Sequence, residues 1–268
     1  MKNNKSLRTE WFKEYLNVAP VSLALVRANE CQILSKLEFK EPILDIGCGD
    51  GIFASVFFEK QIDEGIDMSP DQIARAKKRK AYKNLRLANA AKLPYKDKPF
   101  MTVFSNCVFE HIPQIDDVLK EVSRVLNVKG KLIFTVPSEA YGTNLLFSSL
   151  FRKIGLIKLA DLYARKVNFF CRHYNLHNLD VWKNKLEKAG LKLESCQVYL
   201  SPTATKAHDI MLIFGLFSMI NKRLFGRMIL FPKFRKFIVS SFVFPIFNPI
   251  YRIEPKNGSS LLIIAKKE

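Results

Sequence analysis

Residues 42–51, PILDIGCGDG, set an acid and three glycines at alternating positions: Asp45, Gly47, Gly49 and Gly51. Glycine here lets the backbone bend sharply and lets a ligand come close to it. The spacing differs from the dinucleotide fingerprint G-x-G-x-x-G, which holds a pyrophosphate at a helix N-terminus. An acid at the turn repels phosphate and suits a ligand that carries cationic groups. A second acid, Asp67, lies 18 residues after Gly49 in IDEGIDMSPDQ. A carboxylate at that place accepts hydrogen bonds from two ribose hydroxyls. The two acids together describe a site for a positively charged nucleoside.

Such a site needs a rigid frame. Ile43–Ile46 is a short apolar run between Pro42 and the glycine turn, and IFASVFFEK can follow it as a helix. Ser69 and Pro70 open a further helix as cap and first residue, with Asp71 in its first turn. The alternation from 43 to 136 implies a parallel sheet covered on both faces, an α/β fold. Strands are expected near 43–46, 62–66, 84–88, 101–105 and 131–136, and helices near 51–59, 70–80 and 116–126. Ligands of such sheets bind beyond the carboxyl ends of the strands. Asp45, Asp67, Asn89 and Asn106 all fall at such ends.

With these pieces in this order, the chain resembles the class I S-adenosylmethionine-dependent methyltransferases. It is near the broad subgroup that includes ubiquinone and menaquinone C-methyltransferases and many small-molecule methyltransferases. ILDIGCGDG is similar to the first motif, and GIDMSPDQI to the second strand with its ribose-binding acid. LANAAKLPYKDKPF resembles the segment beside the adenine, and FSNCVFEHI the end of the fourth strand. VLKEVSRVLNVKGKLIFTVPS resembles the helix, turn and fifth strand that follow.

The resemblance implies a Rossmann-like, doubly wound seven-stranded sheet with its last strand antiparallel, and S-adenosyl-L-methionine as cofactor. It implies that Asp45, Gly47, Cys48 and Gly49 line the methionine part of that cofactor. Asp67 would bind the ribose, Met68 pack on the adenine, Asn89 and Ala90 meet the adenine edge, and Asn106 lie under the sulfonium. His111 follows the fourth strand, in the loop that faces the cofactor methyl in this family, and is a candidate general base. Three positions depart from the family pattern: Asn89 and Met101 each replace an Asp, and NVKG at 127–130 replaces a Pro-Gly turn. The amide oxygen of Asn89 still accepts a hydrogen bond, less strongly than a carboxylate.

The chain has 268 residues, 48% hydrophobic and 25% charged, with a net charge of +18. This is ordinary globular composition, and a single domain spanning 1–268 is expected. Its expected parts are N-terminal helices over 1–40, a cofactor-binding core over 41–138, a helical cap over 139–178 and an apolar, basic insertion over 203–258. Arg27 or Glu30, in the first part, could meet the carboxylate or ammonium of the methionine moiety. The basic excess is uneven: residues 141–258 hold 19 Lys and Arg against 6 Asp and Glu. The five cysteines are scattered and form no C-x-x-C pair, so a disulfide framework is not expected and the compartment is reducing. The first residues, MKNNKSLRTEWFKEYL, lack the apolar stretch of a secretory signal.

In the cap, His173 and His177 stand at i, i+4 spacing in CRHYNLH. A metal would need further ligands, and none has suitable spacing, so no metal is expected. His173 or Tyr174 reaching the acceptor from the cap is the catalytic reading; a local hydrogen-bonded turn is the other. The 203–258 segment carries 9 of the 22 phenylalanines and nine Lys and Arg against Asp209 and Glu254. Its apolar run 210–220 is too short to span a bilayer. Phenylalanines among bases favour an anionic membrane surface. An extra helical layer, a lid or a dimer contact is the other reading, and nucleic acid is disfavoured. The expected enzyme is cytoplasmic, peripheral at the inner face of the membrane, with a hydrophobic or lipid-linked acceptor. A soluble small-molecule or sugar O/N-methyltransferase and a non-catalytic cofactor-binding scaffold are the alternatives.

Overall fold

The first strand, β1 (Ile43–Ile46), is buried along its whole length, as a strand covered on both faces must be. A computed structural model describes residues 8–212, 239–251 and 255–267. Six further strands follow β1: β2 (Ile62–Asp67), β3 (Tyr82–Leu87), β4 (Phe100–Asn106), β5 (Leu126–Pro137), β6 (Leu191–Tyr199) and β7 (Ser260–Lys267). Their spatial order is β3-β2-β1-β4-β5-β7-β6. Strands β1 to β5 pair in parallel, and β7 runs antiparallel to both of its neighbours. The expected Rossmann-like sheet with a reversed last strand is what forms.

One boundary differs. The NVKG turn lies inside β5, because Leu126 pairs with Phe100 before the chain loops out and resumes with Lys131 opposite Thr102. Lys129 takes a left-handed backbone, φ 66°, to make that loop.

Helices cover both faces. On one side lie α1 (Arg8–Val18), α2 (Val21–Leu34) and α3 (Ile52–Phe57), with α4 (Pro70–Arg79) beside them. Ser69 caps α4 by accepting the Gln72 amide at 3.4 Å, with Pro70 at the first helical position. On the other side, α5 (Ile115–Val125) buries Ile115, Val118, Leu119, Val122 and Val125. That is one stripe of a 3.6-residue repeat.

Beyond β5 the chain builds the cap: α6 (Ala140–Asn144), α7 (Leu146–Lys153) and α8 (Ile157–Cys171), before α9 (Leu179–Lys188) returns to the core. At 100° per residue, Ala160, Ala164, Val167 and Cys171 share the inner side of α8. Leu159 (41% exposed), Leu162 (44%), Phe169 (84%) and Phe170 (55%) share the outer side. Lys158 and Arg165 border that apolar arc and Lys166 lies within it, all exposed.

The described parts of 203–258 pack against the domain. Residues 202–212 are helical and bury Ala204, Ala207 and Asp209. Asp209 accepts hydrogen bonds from the Tyr163 hydroxyl (2.6 Å) and the Phe147 amide (3.3 Å), tying this helix to the cap. In the helix Phe244–Tyr251, the Phe244 ring lies 5.7 Å from that of Phe12. Residues 213–238 and 252–254, the greater part of the expected docking segment, lie outside the described residues. Among the described residues, no helix is long and apolar enough to cross a membrane.

Candidate active site

The turn after β1 is pinned to β2. The amides of Gly47 and Cys48 both donate to the Ile66 carbonyl, at 2.8 and 2.9 Å. Gly47 has φ +75°, and a Cβ there would stand 2.5 Å from the Val108 methyls. The next glycine, Gly49 (φ +55°), has nothing within 4 Å of where its Cβ would be. The backbone is thus bare where a ligand would lie against it. The Gly49 amide donates to Asp67 Oδ2 (3.0 Å) and the Ser69 amide to Oδ1 (2.8 Å). Two backbone donors therefore hold the Asp67 carboxylate at the rim of the crevice.

Asp45 is deeper, and the Tyr82 hydroxyl donates to its Oδ2 at 2.6 Å. Burial pushes its carboxyl up to about 7, the Tyr82 hydrogen bond opposes this, and the neighbouring Asp67 charge adds to it. The Tyr82 ring reaches Asp45 by crossing Gly65, where a Cβ would meet the ring at 2.7 Å. Tyr82 belongs to no motif, and Gly65, which opens GIDMSPDQI, was not marked there as a site residue. A glycine in the middle of a strand, where a backbone approaches closely, was the signal available.

Two cavities meet at Gly47. One of about 340 Å³ is lined by Arg27, Asp45, Cys48, Gly49 and Asn106, among others. The other, of about 230 Å³, is lined by Asp67, Met68, Asn89, Ala90 and His111, among others. All nine residues expected to meet the cofactor line this double crevice. The first half holds those expected at the methionine end, the second those expected at the ribose and adenine. Met68 is 77% exposed and forms an open ledge. The Asn89 side-chain oxygen accepts the Ala91 amide at 2.9 Å, shaping the adenine-side turn.

A buried carboxylate orders the methionine end. Glu30, fully buried, accepts from Arg27 Nη1 and Asn106 Nδ2, both at 2.7 Å, and from Cys107 Sγ at 3.0 Å. Thr135 Oγ1 donates to Asn106 Oδ1 at 2.7 Å. Both ends of the Asn106 amide are therefore committed, and Glu30 positions Arg27 and Asn106 from behind the crevice.

A third cavity, of about 270 Å³, shares Leu23 and Arg27 with the first and His111 with the second. Glu110, Tyr141, His173 and His208 also line it. The His111 and His173 rings stack at 5.5 Å, and Tyr141 stands edge-on to His173 at 5.4 Å. Burial lowers the His111 imidazole below its ordinary range. Burial, then repulsion from His111 and His208, brings His173 down to about 4. Both rings are neutral at pH 7, with a lone pair free to take a proton. Burial pushes Glu110 up to about 8.

Tyr174 is placed otherwise. Its ring is 59% exposed and does not line the cavity, while its amide donates to the Glu110 carbonyl at 2.7 Å. His177 packs on Trp182 at 5.4 Å, away from the cavity. His208, which no motif marks, reaches the cavity wall because residues 202–212 fold back over α2, its Nδ1 lying 3.1 Å from the Ser22 carbonyl.

Acids on a bare glycine turn at the carboxyl ends of this sheet define a nucleoside-binding enzyme of the Rossmann-like class. The donor set fits a cofactor that brings an ammonium and a sulfonium: carboxylates would face it, and its sugar would meet an acid held by two amides. A family model described as a methyltransferase domain matches residues 37–189, more than half of the chain, and the chain belongs to that family. It is a class I S-adenosylmethionine-dependent methyltransferase.

The malonyl-[acyl-carrier protein] O-methyltransferase of Legionella pneumophila is 33% identical over 99 residues, 35% of each chain. The sterol 4-C-methyltransferase strm-1 of Caenorhabditis elegans is 28% identical over 117 residues, 40% of this chain and 35% of its own. The chain thus spans about a third of the length of these curated relatives. A solved SAM-dependent methyltransferase from Thermotoga maritima covers 92% of both chains with a TM-score of 0.55 at 18% identity, a likeness of fold.

Proposed function

We propose that this methyltransferase works at an anionic membrane surface, on a hydrophobic or lipid-linked acceptor, from the cytoplasmic side. The observation that carries the reading is the outer side of α8. Four apolar side chains stand in water there beside Lys158, Arg165 and Lys166. Residues 146–172 as a whole hold six Lys and Arg against one acid, Asp161. Exposed aromatics next to bases suit an interface of acyl chains and anionic headgroups. The helix ends where the third cavity begins, since Cys171 and His173 line it. An acceptor anchored in the membrane would enter beside the docked helix. The relative named for a sterol accords with an apolar acceptor.

In this reading, Asp45, Gly47, Cys48, Gly49 and Asn106 hold the methionine end of S-adenosylmethionine. Asp67 holds the ribose, and Met68, Asn89 and Ala90 the adenine. The bound cofactor supplies an electrophilic methyl group, and the third cavity holds the nucleophile in line with it while excluding water. His111 and His173 stand beside the acceptor to deal with its proton.

Flotation with anionic and with neutral vesicles tests the docking. Wild-type protein is expected to float with anionic vesicles at low salt, and Phe169→Ser/Phe170→Ser to bind at least tenfold more weakly. Wild-type protein that stays at the bottom, or a double variant that floats equally well, removes the reading.

A further inference from the structure

Glu110, His111 and His173 bring three metal-ligating atoms within 4.8 Å of one another on the wall of the third cavity. We propose that these residues form a site for one first-row divalent metal ion. The proposal rests on the third cavity being the acceptor site, and it names the device that handles the acceptor there.

The tautomers come first. His111 Nδ1 lies 3.1 Å from the Arg172 carbonyl, and His173 Nδ1 lies 3.3 Å from Asn168 Oδ1. Both contacts are with acceptor oxygens, so each Nδ1 carries the hydrogen and each Nε2 presents a bare lone pair. This is how metal-ligating histidines are oriented: one ring nitrogen is held by an oxygen and the other is free for the ion.

The carboxylate comes next. Glu110 is 2% exposed, and its Oε2 has no hydrogen-bond partner among the described residues. An orphaned buried oxygen of this kind calls for a partner such as an ion. Glu110 Oε1 is already 3.7 Å from His111 Nε2. Ligands at metal distances of about 2.1 Å and tetrahedral angles stand about 3.4 Å apart.

The frame is stiff as well. The Glu110 carbonyl accepts the amides of Tyr174 (2.7 Å) and Asn175 (3.2 Å). Asn175 Nδ2 donates to the carbonyls of Phe109 (2.8 Å) and Ile112 (2.7 Å). The loop carrying Glu110 and His111 is thus stitched to the segment carrying His173. Sequence spacing hid the cluster, because its third member lies 62 residues beyond His111.

Two imidazoles and a carboxylate form a set taken by manganese, iron, cobalt or zinc, with coordination positions left open. The open positions face the cavity. An acceptor hydroxyl placed there would be acidified by the ion and would pass its proton to His208, the histidine of the cavity wall that is not a ligand. The acceptor class that follows is a hydroxyl-bearing one.

The test uses the whole chain, freed of metal by a chelator and dialysed against Mn²⁺, which the thiols of the five free cysteines hold poorly. One ion per chain is expected, bound at least tenfold more weakly by His173→Ala and by Glu110→Gln. Calorimetric titration with S-adenosylmethionine, unchanged in His173→Ala, shows that this variant keeps its fold should Glu110→Gln lose it. No saturable Mn²⁺ binding by the wild-type chain, or equal binding by His173→Ala, overturns the proposal. Because neither vesicle nor acceptor is present, that failure is separate from a failure of membrane docking.

Discussion

Asp45 and Asp67 face the same crevice with different environments, and this difference has a measurable sign. Asp67 is held at the rim by two backbone amides; Asp45 is buried and titrates at about 7. A cationic ligand binds the ionised form of Asp45. Affinity for S-adenosylmethionine is therefore expected to rise between pH 6 and pH 8, by at most tenfold per unit below the titration point. Calorimetry across that range is expected to show the slope in the wild type and a flat, weak profile in Asp45→Asn. Asp67→Ala is expected to lose about 10- to 100-fold at every pH, the worth of one charged hydrogen bond. Without ligand, the native chain holds a proton on Asp45 that the unfolded chain has released. This group's contribution to stability therefore falls as pH rises from about 4 toward 7.

Among the elements, β2 and β3 show how close packing serves the site. Gly65 admits the Tyr82 ring, and that ring carries the hydroxyl to Asp45. Gly65→Val is expected to destabilise the chain by about 1–3 kcal/mol through overpacking, read as a lower urea midpoint. It should also weaken S-adenosylmethionine binding, because Tyr82 is pushed off Asp45. The inner strands β1 and β4 were legible in the sequence, as short buried apolar runs ending in polar residues. So was α4, through Ser69 and Pro70. The contact between Asp45 and Tyr82 was not, since it joins residues 37 apart and depends on two strands lying side by side. The early start of β5 was also hidden, because a turn inside a strand reads as a boundary. The apolar arc of α8 was hidden for another reason: composition does not tell which side of a cap helix faces water.

At the scale of the whole molecule, the charge of +18 and the exposed arc of α8 are what support the proposal of an anionic interface. Lipid extracts of cells lacking the protein are expected to contain a species short of one methyl group, and mass spectrometry after adding the protein back is expected to show it restored. The nine crevice-lining positions could be placed from motifs, because they sit at the ends of four consecutive strands. The third cavity could not, because it is assembled from α2, the loop after β4, the end of α8 and residues 202–212. Among those segments, α2 has a double station. Its Leu23 and Arg27 line the first cavity and the third alike. One helix is thus a party wall between two rooms. A change at either residue therefore alters both spaces at once.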